Sequence, residues 1–144
     1  MKRSASAVWK GGLKDGTGTV SSESGVLSGT PYNFSKRFEN EKGTNPEELV
    51  AAAHAACFSM ALSLFMANEG LTPGSIETTA TVSFDNVNGA WTVTSSHLQT
   101  RVQSPNANPA AFQKAAEGAK AGCPISRLLN TTIIDDLPLT FESA

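Results

Sequence analysis

An almost uninterrupted apolar segment between residues 49 and 67 constrains the fold of this chain more than any other feature. Four side chains within it carry a polar group or a thiol: His54, Cys57, Ser59 and Ser63. Asn45 is a favourable helix N-cap, Pro46 suits the first helical position, and Gly70 is a typical C-terminal stop. The pattern therefore predicts one helix of about 24 residues, roughly 36 Å long.

The predicted helix is apolar on every side, which indicates that it is buried all round. The whole chain has 144 residues, close to the roughly 150 expected of one domain, and offers little material to wrap so long a helix. Charged residues make up 17% of the chain, against about 25% in a typical soluble domain. We therefore expect a single domain over residues 1–144 whose long helix packs against a second subunit.

Composition and charge exclude several classes of protein. The formal net charge is -2, which argues against a nucleic-acid-binding protein. No apolar stretch of about 18 residues lacks polar interruption, and no apolar run follows the basic residues near the start, so we expect neither a membrane span nor a secretory signal. Two cysteines do not make a disulfide scaffold, and a cytoplasmic location is the default expectation.

The remaining segments predict a mixture of strands and helices. Strands are predicted over residues 5–10, 17–22, 76–85, 91–103 and 131–140, and shorter helices over 109–121 and 125–130. The segment 32–38 alternates only roughly, so a short strand and an ordered loop are both open there. Residues 86–89 predict a hairpin loop. The resulting order of hairpin, helix, hairpin, helix and strand is typical of the α+β class.

The two cysteines are the first candidates for chemistry. Cys57 lies midway along the predicted long helix, where a buried, unreactive thiol is the ordinary interpretation and a nucleophile is the alternative. Cys123 follows Gly122 and precedes Pro124, which predicts a helix N-cap, where the helix dipole lowers the pKa of a thiol. A helix-break residue without reactivity is the alternative. The cysteine spacing excludes a CxxC redox motif and a paired-cysteine zinc knuckle.

Two arginines and one glutamate are candidate partners for the thiols. Arg37 lies between the aromatic residues Phe34 and Phe38, where a partly desolvated guanidinium would seek a carboxylate or a thiolate. An exposed surface arginine is the commoner alternative. Glu47 either serves such a guanidinium or does no more than favour the helix dipole. Arg127, four residues after the second cysteine, is a rival activating cation.

The two histidines are weaker candidates. His54 lies three residues before Cys57 and therefore near it on the helix surface. It could be a base, although a core histidine with satisfied hydrogen bonds is the more ordinary interpretation. His97 lies in a predicted strand without a neighbouring ligand-type residue in the sequence. His54, Cys57 and Cys123 would make a poor metal set, without a fourth ligand at a recognisable spacing, so no metal is expected.

Several sequence runs resemble one known family. They are residues 37–61 (RFENEKGTNPEELVAAAHAACFSMA), residues 18–27 (GTVSSESGVL) and residues 120–126 (KAGCPIS). Together they are similar to the osmotically induced protein C (OsmC) family, which is related to the organic hydroperoxide resistance (Ohr) proteins. The likeness extends over nearly the whole chain, and the runs at 37–39 and 54–57 favour the OsmC branch over the Ohr branch.

The resemblance implies a function and a set of site residues. It implies a cysteine-based peroxidase that reduces organic hydroperoxides, and hydrogen peroxide less well, in oxidative stress defence. Cys57 matches the peroxidatic cysteine, Cys123 the resolving cysteine, and Arg37 with Glu47 the activating pair. The implied fold is an α+β intertwined homodimer with β-sheets wrapped around long central helices. A lipoyl-type dithiol is the implied reductant, and no cofactor is implied.

Two alternatives on the same fold remain open: a non-catalytic, stress-related binding protein and a thiol redox sensor. If the chain is an enzyme, the helix geometry adds one expectation. Glu47 and Cys57 are ten residues apart on one predicted helix, or about 15 Å along its axis, and cannot touch within it. We therefore expect Arg37 and Glu47 to serve the Cys57 of a partner subunit, giving two composite sites per homodimer. The apolar residues Phe58 and Met60 would suit the tail of an alkyl hydroperoxide.

Overall fold

The computed structural model describes residues 1–136 and 141–142. The chain divides into two compact units, Met1–Leu49 and Val50–Ala144. The elements of the first unit are β1 (Ala5–Lys10), β2 (Thr17–Ser22), β3 (Thr30–Tyr32) and α1 (Phe34–Phe38). The three strands form an antiparallel sheet in the order β1-β2-β3. The first two strands have the predicted bounds, so the predicted N-terminal hairpin is confirmed.

The segment 32–38 is neither a strand nor a loop along its length. Tyr32 ends β3, and the residues from Phe34 onward form α1. The amide side chain of Asn33 accepts a hydrogen bond from the backbone N–H of Lys36 at 2.8 Å, which satisfies a free donor of the first turn. The rough alternation of the sequence concealed this N-cap, and the cap is the reason that the segment turns helical.

The long predicted helix is confirmed as α2 (Pro46–Asn68). The Asn45 side chain caps it by accepting a hydrogen bond from the backbone N–H of Glu48 at 2.8 Å. One stripe of the helix is fully buried within the chain: His54, Phe58, Leu62 and Met66. On another face, Met60 and Leu64 are 76% and 60% exposed in the single chain, so burial all round stays a prediction that depends on a second subunit.

By length and composition alone, α2 could cross a membrane, with a mean hydropathy of 1.9. That finding departs from the expectation drawn from the polar interruptions in the sequence. However, the buried stripe includes a histidine whose ring is hydrogen-bonded on both sides, at His54. This combination is typical of the core helix of a folded domain.

The second unit is built on a long hairpin, β4 (Ser75–Val87) and β5 (Ala90–Gln103). Asn88 and Gly89 alone join the strands, with positive φ angles of 52° and 84°, as a tight hairpin turn requires. The loop is therefore two residues shorter than predicted. The later elements are α3 (Pro109–Gly122), α4 (Pro124–Leu128), β6 (Thr132–Asp136) and β7 (Phe141–Glu142).

Both short C-terminal strands run parallel to β5. The predicted strand over residues 131–140 is confirmed for β6, and residues 137–140 lie outside the described part of the chain. Mixed sheets with helices of this kind belong to the predicted α+β class.

The core of the second unit lies among α2, α3 and β5. Its fully buried apolar members include Phe58, Leu62, Met66, Leu98, Val102, Phe112 and Cys123. On α3, Gly118 and Gly122 are required by close packing, since an added Cβ would lie 2.5 Å and 2.8 Å from the ring of Phe65. The glycines therefore let α3, which carries Cys123 at its end, approach the helix that carries Cys57.

Candidate active site

The two thiols meet in the core of the second unit. Cys57 lies in the middle of α2, beside the buried stripe, and is partly buried. Cys123 is fully buried, ends α3 and stands at the N-cap position of α4, as predicted from the glycine and proline that flank it. Their Sγ atoms lie 2.9 Å apart, and both cysteines are free thiols. The fold thus brings together two sulfurs that are 66 positions apart in the sequence.

The surroundings act in opposite directions on the two thiols. Burial and the hydrogen bond with Cys123 raise the pKa of Cys57, against a lowering contribution from the backbone of Ile125. Burial also acts to raise the pKa of Cys123, but contacts with Cys57, Ser126 and the Ile125 backbone outweigh it and leave that pKa lowered. Within this unit, Cys123 therefore loses its proton more readily than Cys57 does.

His54 lies one helical turn before Cys57 and is completely buried. Its Nδ1 is 2.6 Å from Ser96 Oγ on β5, and its Nε2 is 2.7 Å from Ser126 Oγ on α4. Burial lowers the pKa of the imidazole, which keeps the ring neutral near pH 7. The interpretation of His54 as a core histidine with satisfied hydrogen bonds is confirmed, and its second partner, Ser126, also contacts Cys123.

Arg37 and Glu47 form an ion pair in the first unit. Arg37 Nη2 donates to Glu47 Oε1 at 2.8 Å, and Arg37 Nε lies 3.2 Å from both carboxylate oxygens. The carboxylate side chain is 13% exposed and the guanidinium side chain 34% exposed. Two guanidinium nitrogens thus engage one carboxylate, which fixes the plane of the guanidinium.

An aromatic cluster surrounds this guanidinium. The rings of Phe34 and Phe38 stack with their centroids 4.8 Å apart, and the Arg37 Cζ lies 5.3 Å from the Phe38 centroid. A cavity of about 290 Å³ opens beside them, and its lining also includes Trp9, Leu13 and Tyr32. The first unit therefore offers an apolar, ring-lined space with one fixed positive charge in its wall.

The other candidates lie elsewhere. Arg127 is exposed on α4, one turn after Cys123. His97 is on β5, on the face opposite that of Ser96. Phe58 is fully buried in the core, so the expectation that it contacts an alkyl tail is wrong. Across residues 1–136 and 141–142, no cluster of three or more His, Cys, Asp or Glu residues suits a metal ion.

Sequence reasoning missed the two serines that hold His54. Ser96 shares the buried, inward face of β5 with Leu98 and Val102, because alternate strand residues point the same way. That alternation in the sequence is the signal that could have placed Ser96 against α2. Ser126 follows Cys123 by three residues, and the N-cap prediction for Cys123 places it in the same first turn of α4.

Comparisons with known proteins agree on one family. The model of the OsmC-like protein family matches residues 39–135. The chain is 51% identical to Peroxiredoxin OsmC of Escherichia coli K12 over 139 residues, or 96% of this chain and 97% of that protein. An organic hydroperoxide resistance protein of Xanthomonas axonopodis pv. citri is 31% identical over 99 residues, 68% of this chain and 66% of that protein.

A solved structure extends the likeness to the fold. An organic hydroperoxide resistance protein from Elizabethkingia anophelis superposes with a TM-score of 0.71 at 26% identity, covering 100% of this chain and 99% of that one. The higher identity to the OsmC relative than to the hydroperoxide resistance relative agrees with the branch that the sequence runs favour.

Proposed function

This chain belongs to the OsmC-like protein family and is a thiol-dependent peroxidase, and we propose that it reduces organic hydroperoxides to alcohols through Cys57 and Cys123. The observation that carries the proposal is the contact between the two free sulfurs, 2.9 Å apart in the core. A peroxidase that resolves its oxidised cysteine within the chain needs a second thiol in reach, and Cys123 meets that need.

The first step needs Cys57 as a thiolate. Its sulfur attacks the terminal oxygen of the hydroperoxide, the O–O bond breaks, and the products are Cys57 sulfenic acid and an alkoxide that takes up a proton. Because burial raises the pKa of Cys57, a cation is required beside it. We assign that role to Arg37, which cannot lose its charge and can also stabilise the leaving alkoxide. Glu47 holds its guanidinium in position.

The second step forms a disulfide. The sulfur of Cys123 attacks the sulfur of Cys57 sulfenic acid, the S–O bond breaks, and water leaves. Since the two sulfurs are already in contact, this step requires a small shift rather than a rearrangement of α4. Rapid closure protects Cys57 from further oxidation to sulfinic acid. An external dithiol, for which a lipoyl-type compound is our candidate, then reduces the bridge by thiol–disulfide exchange in the cytoplasm.

A homodimer completes the proposed site. The open face of α2, with Met60 and Leu64 exposed, is an apolar surface of the kind that marks a subunit interface. Glu47 and Cys57 are separated by about 15 Å along one helix axis. Two such helices packed antiparallel about a two-fold axis would bring the Arg37–Glu47 pair of one subunit to Cys57 of the other.

The aromatic cavity beside Arg37 is our candidate for the alkyl part of the substrate. Its walls include Trp9, Phe34 and Phe38, and burial of apolar groups stabilises such a complex by about 25 cal/mol per Å². The fixed guanidinium at its edge would hold the peroxide oxygens. This arrangement favours organic hydroperoxides over hydrogen peroxide.

Turnover with cumene hydroperoxide and dihydrolipoamide tests the proposal. The wild type should turn over, and Cys57→Ser should fall to the uncatalysed background. Cys123→Ser should reduce about one equivalent of peroxide and then stop, because its sulfenic acid cannot be resolved in the chain. Mass spectrometry of the wild type after one equivalent of peroxide should show the Cys57–Cys123 bridge.

Other outcomes would favour the alternatives. Turnover by Cys57→Ser at the wild-type rate would refute the assignment of the reacting thiol. A wild type that forms the bridge but is not recycled by dithiols would be a redox sensor. A wild type whose thiols do not react at all would be a binding protein.

The interface can be tested separately by Leu64→Glu, which places a charge on the open face of α2. We expect this variant to sediment as a monomer and to lose most of its activity, because Cys57 would lose the Arg37 of the second subunit. A dimeric, active Leu64→Glu protein would contradict the composite site.

A further inference from the structure

A line of contacts leads from the resolving thiol to a buried imidazole. The Sγ of Cys123 touches the Sγ of Cys57 on one side and interacts with the side chain of Ser126 on the other. Ser126 Oγ lies 2.7 Å from His54 Nε2, and Ser96 Oγ lies 2.6 Å from His54 Nδ1. These groups lie on α2, β5 and α4 and at the junction between α3 and α4. The proposed activating pair, Arg37 and Glu47, includes none of the three polar residues.

Three members of the line are held away from water, and Ser126 lies at the edge of a solvent-open cavity. Cys123, His54 and Ser96 are 0% exposed, and Ser126 is 9% exposed. A buried polar group costs free energy unless it is hydrogen-bonded, and here each ring nitrogen has one hydroxyl partner. Hydroxyl groups both donate and accept, so the hydrogen atoms of this line can exchange roles while the heavy atoms stay in place. A neutral imidazole has one unprotonated ring nitrogen, and in the tautomer that donates to Ser96 this nitrogen faces the hydroxyl of Ser126.

We propose that Ser126 and His54 accept the proton of the Cys123 thiol when the disulfide forms, with Ser126 in contact with the reacting sulfur and His54 as the positioning residue behind it. The inference rests on the proposed roles of Cys57 and Cys123. In this proposal, His54 acts in the second half of the reaction, when the disulfide forms. It takes no part in the attack of Cys57 on the peroxide.

The step balances in atoms and charge. Cys123 S–H gives its proton to Ser126 Oγ as the Ser126 O–H gives its own proton to His54 Nε2. The thiolate of Cys123 bonds to the sulfur of Cys57 sulfenic acid, and the S–O electron pair leaves with the hydroxyl group as hydroxide. Hydroxide takes up one proton and becomes water, so the net change is one disulfide and one water.

The proton has an exit from the imidazolium. Ser126 lines a solvent-open cavity of about 490 Å³, together with Glu117, Lys120 and Arg127. His54 can therefore return its proton through Ser126 to the water of this cavity. The lowered pKa of the buried imidazole favours that return, and hydrogen bonds with Cys57 and Ser126 lower the pKa of Cys123, which eases the loss of its proton.

The two serines offer a matched pair of variants. Ser126→Ala removes the hydroxyl between Cys123 and His54, whereas Ser96→Ala removes a hydrogen bond of similar length to the other nitrogen of the same ring. Both variants lose one buried hydrogen bond to His54, so their thermal stabilities should fall to a similar extent, whereas Ser126→Ala alone also loses the contact with Cys123. Ser126→Thr keeps the hydroxyl and serves as the rescue, because its methyl group can enter the cavity.

Single-turnover kinetics separate the two halves of the reaction. Protein is mixed with one equivalent of cumene hydroperoxide, the sulfenic acid is trapped with dimedone at timed intervals, and the disulfide is counted by mass spectrometry. In Ser126→Ala and His54→Gln, we expect sulfenic acid to form at the wild-type rate and the disulfide to form about tenfold more slowly or worse. Ser96→Ala should slow the disulfide by less than about threefold, and Ser126→Thr should restore most of the rate.

Two results would overturn the inference. One is a Ser126→Ala protein that forms the disulfide at the wild-type rate. The other is an equal slowing by Ser96→Ala and Ser126→Ala, which would reduce the network to a structural support.

Alkylation keeps this inference distinguishable from the proposed function. In a Cys57→Ser background, iodoacetamide should react with Cys123 more slowly near neutral pH when Ser126 is also alanine, and not when Ser96 is. No peroxide is involved in this measurement. If that difference appears while the wild type forms no sulfenic acid, the contact to Cys123 stands and the peroxidase roles fail. If the difference is missing, the relay fails whatever the peroxidase does.

Discussion

The thiol pair of the second unit and the ion pair of the first are built in opposite ways. Cys57 and Cys123 sit in a packed core, where burial positions the sulfurs but raises the pKa of Cys57. Arg37 and Glu47 are partly exposed and lie against each other, and Arg37 also lies beside the stacked rings of α1. In the proposed mechanism, packing positions the attacking sulfur and the Arg37–Glu47 pair supplies the charge. Burial and the contact with Cys123 raise the pKa of Cys57, so the proposed attack depends on a cation placed beside this thiol.

The largest expected effect comes from removing that cation. Arg37→Ala should slow the reaction of Cys57 with cumene hydroperoxide by about 100- to 1,000-fold, because the thiolate and the leaving alkoxide lose their positive partner. Stopped-flow measurement of sulfenic acid formation gives the rate. Arg127→Ala is the matched control and should react at nearly the wild-type rate. The reverse ranking of the two arginines would reassign the activating cation to α4.

Two leucines on α2 sharpen the contrast between its buried stripe and its open face. Leu62 is fully buried and Leu64 is 60% exposed in the single chain. Leu62→Ala should lower the free energy of unfolding by about 2–5 kcal/mol. Leu64→Ala should cost less than about 0.5 kcal/mol in a monomer, and its cost should depend on protein concentration in a dimer. Urea titration at two protein concentrations distinguishes the cases, and equal losses for both leucines would contradict the described burial.

A smaller effect is expected from the carboxylate of the ion pair. Glu47→Gln keeps the size and one acceptor oxygen but loses the charge that fixes the Arg37 guanidinium. The rate of sulfenic acid formation should fall by about tenfold, less than in Arg37→Ala, because the guanidinium remains but is less well placed. Glu48→Gln, one residue further along the same first turn, is the control. A loss as large as that of Arg37→Ala would mean that the carboxylate itself takes part in the chemistry.

Local sequence signals were sufficient for most elements of the fold. Asn45 with Pro46 placed the start of α2, and residues 86–89 predicted the hairpin loop, which the structure narrows to Asn88 and Gly89. Both signals act over a few residues, which is why they can be read without the tertiary structure. The helix at α1 was missed because its N-cap, Asn33, lies within a segment that also alternates weakly like a strand.

Local sequence signals do not determine which residues of the candidate site meet in space. The resemblance to a family nominated Cys57 and Cys123, but spacing alone could not bring them into contact, since the approach depends on the packing of α3 against α2. The partners of His54 come from β5 and α4; the sequence indicates the face or turn on which Ser96 and Ser126 lie, but only tertiary structure brings them to this ring. Apolarity alone also does not tell the buried face of α2, with Leu62, from its exposed face, with Leu64.

The smallest expected effect concerns the pH dependence of stability, which the buried imidazole of the second unit should dominate near pH 6. Burial lowers the pKa of His54 below its ordinary value of about 6.5. Between the folded and unfolded pKa values, the unfolded chain binds more protons, so the free energy of unfolding rises with pH. The contribution of His54 to the free energy of unfolding is therefore complete above about pH 6.5 and is lost as the pH falls below it, by at most about 1.4 kcal/mol per pH unit.

Urea titrations from pH 5.5 to 7 should show this slope in the wild type and a flatter one in His54→Gln. Because burial is the cause, the slope should persist in 0.5 M salt, which screens interactions between exposed charges. The same slope in both proteins would mean that groups other than His54 control stability in this range.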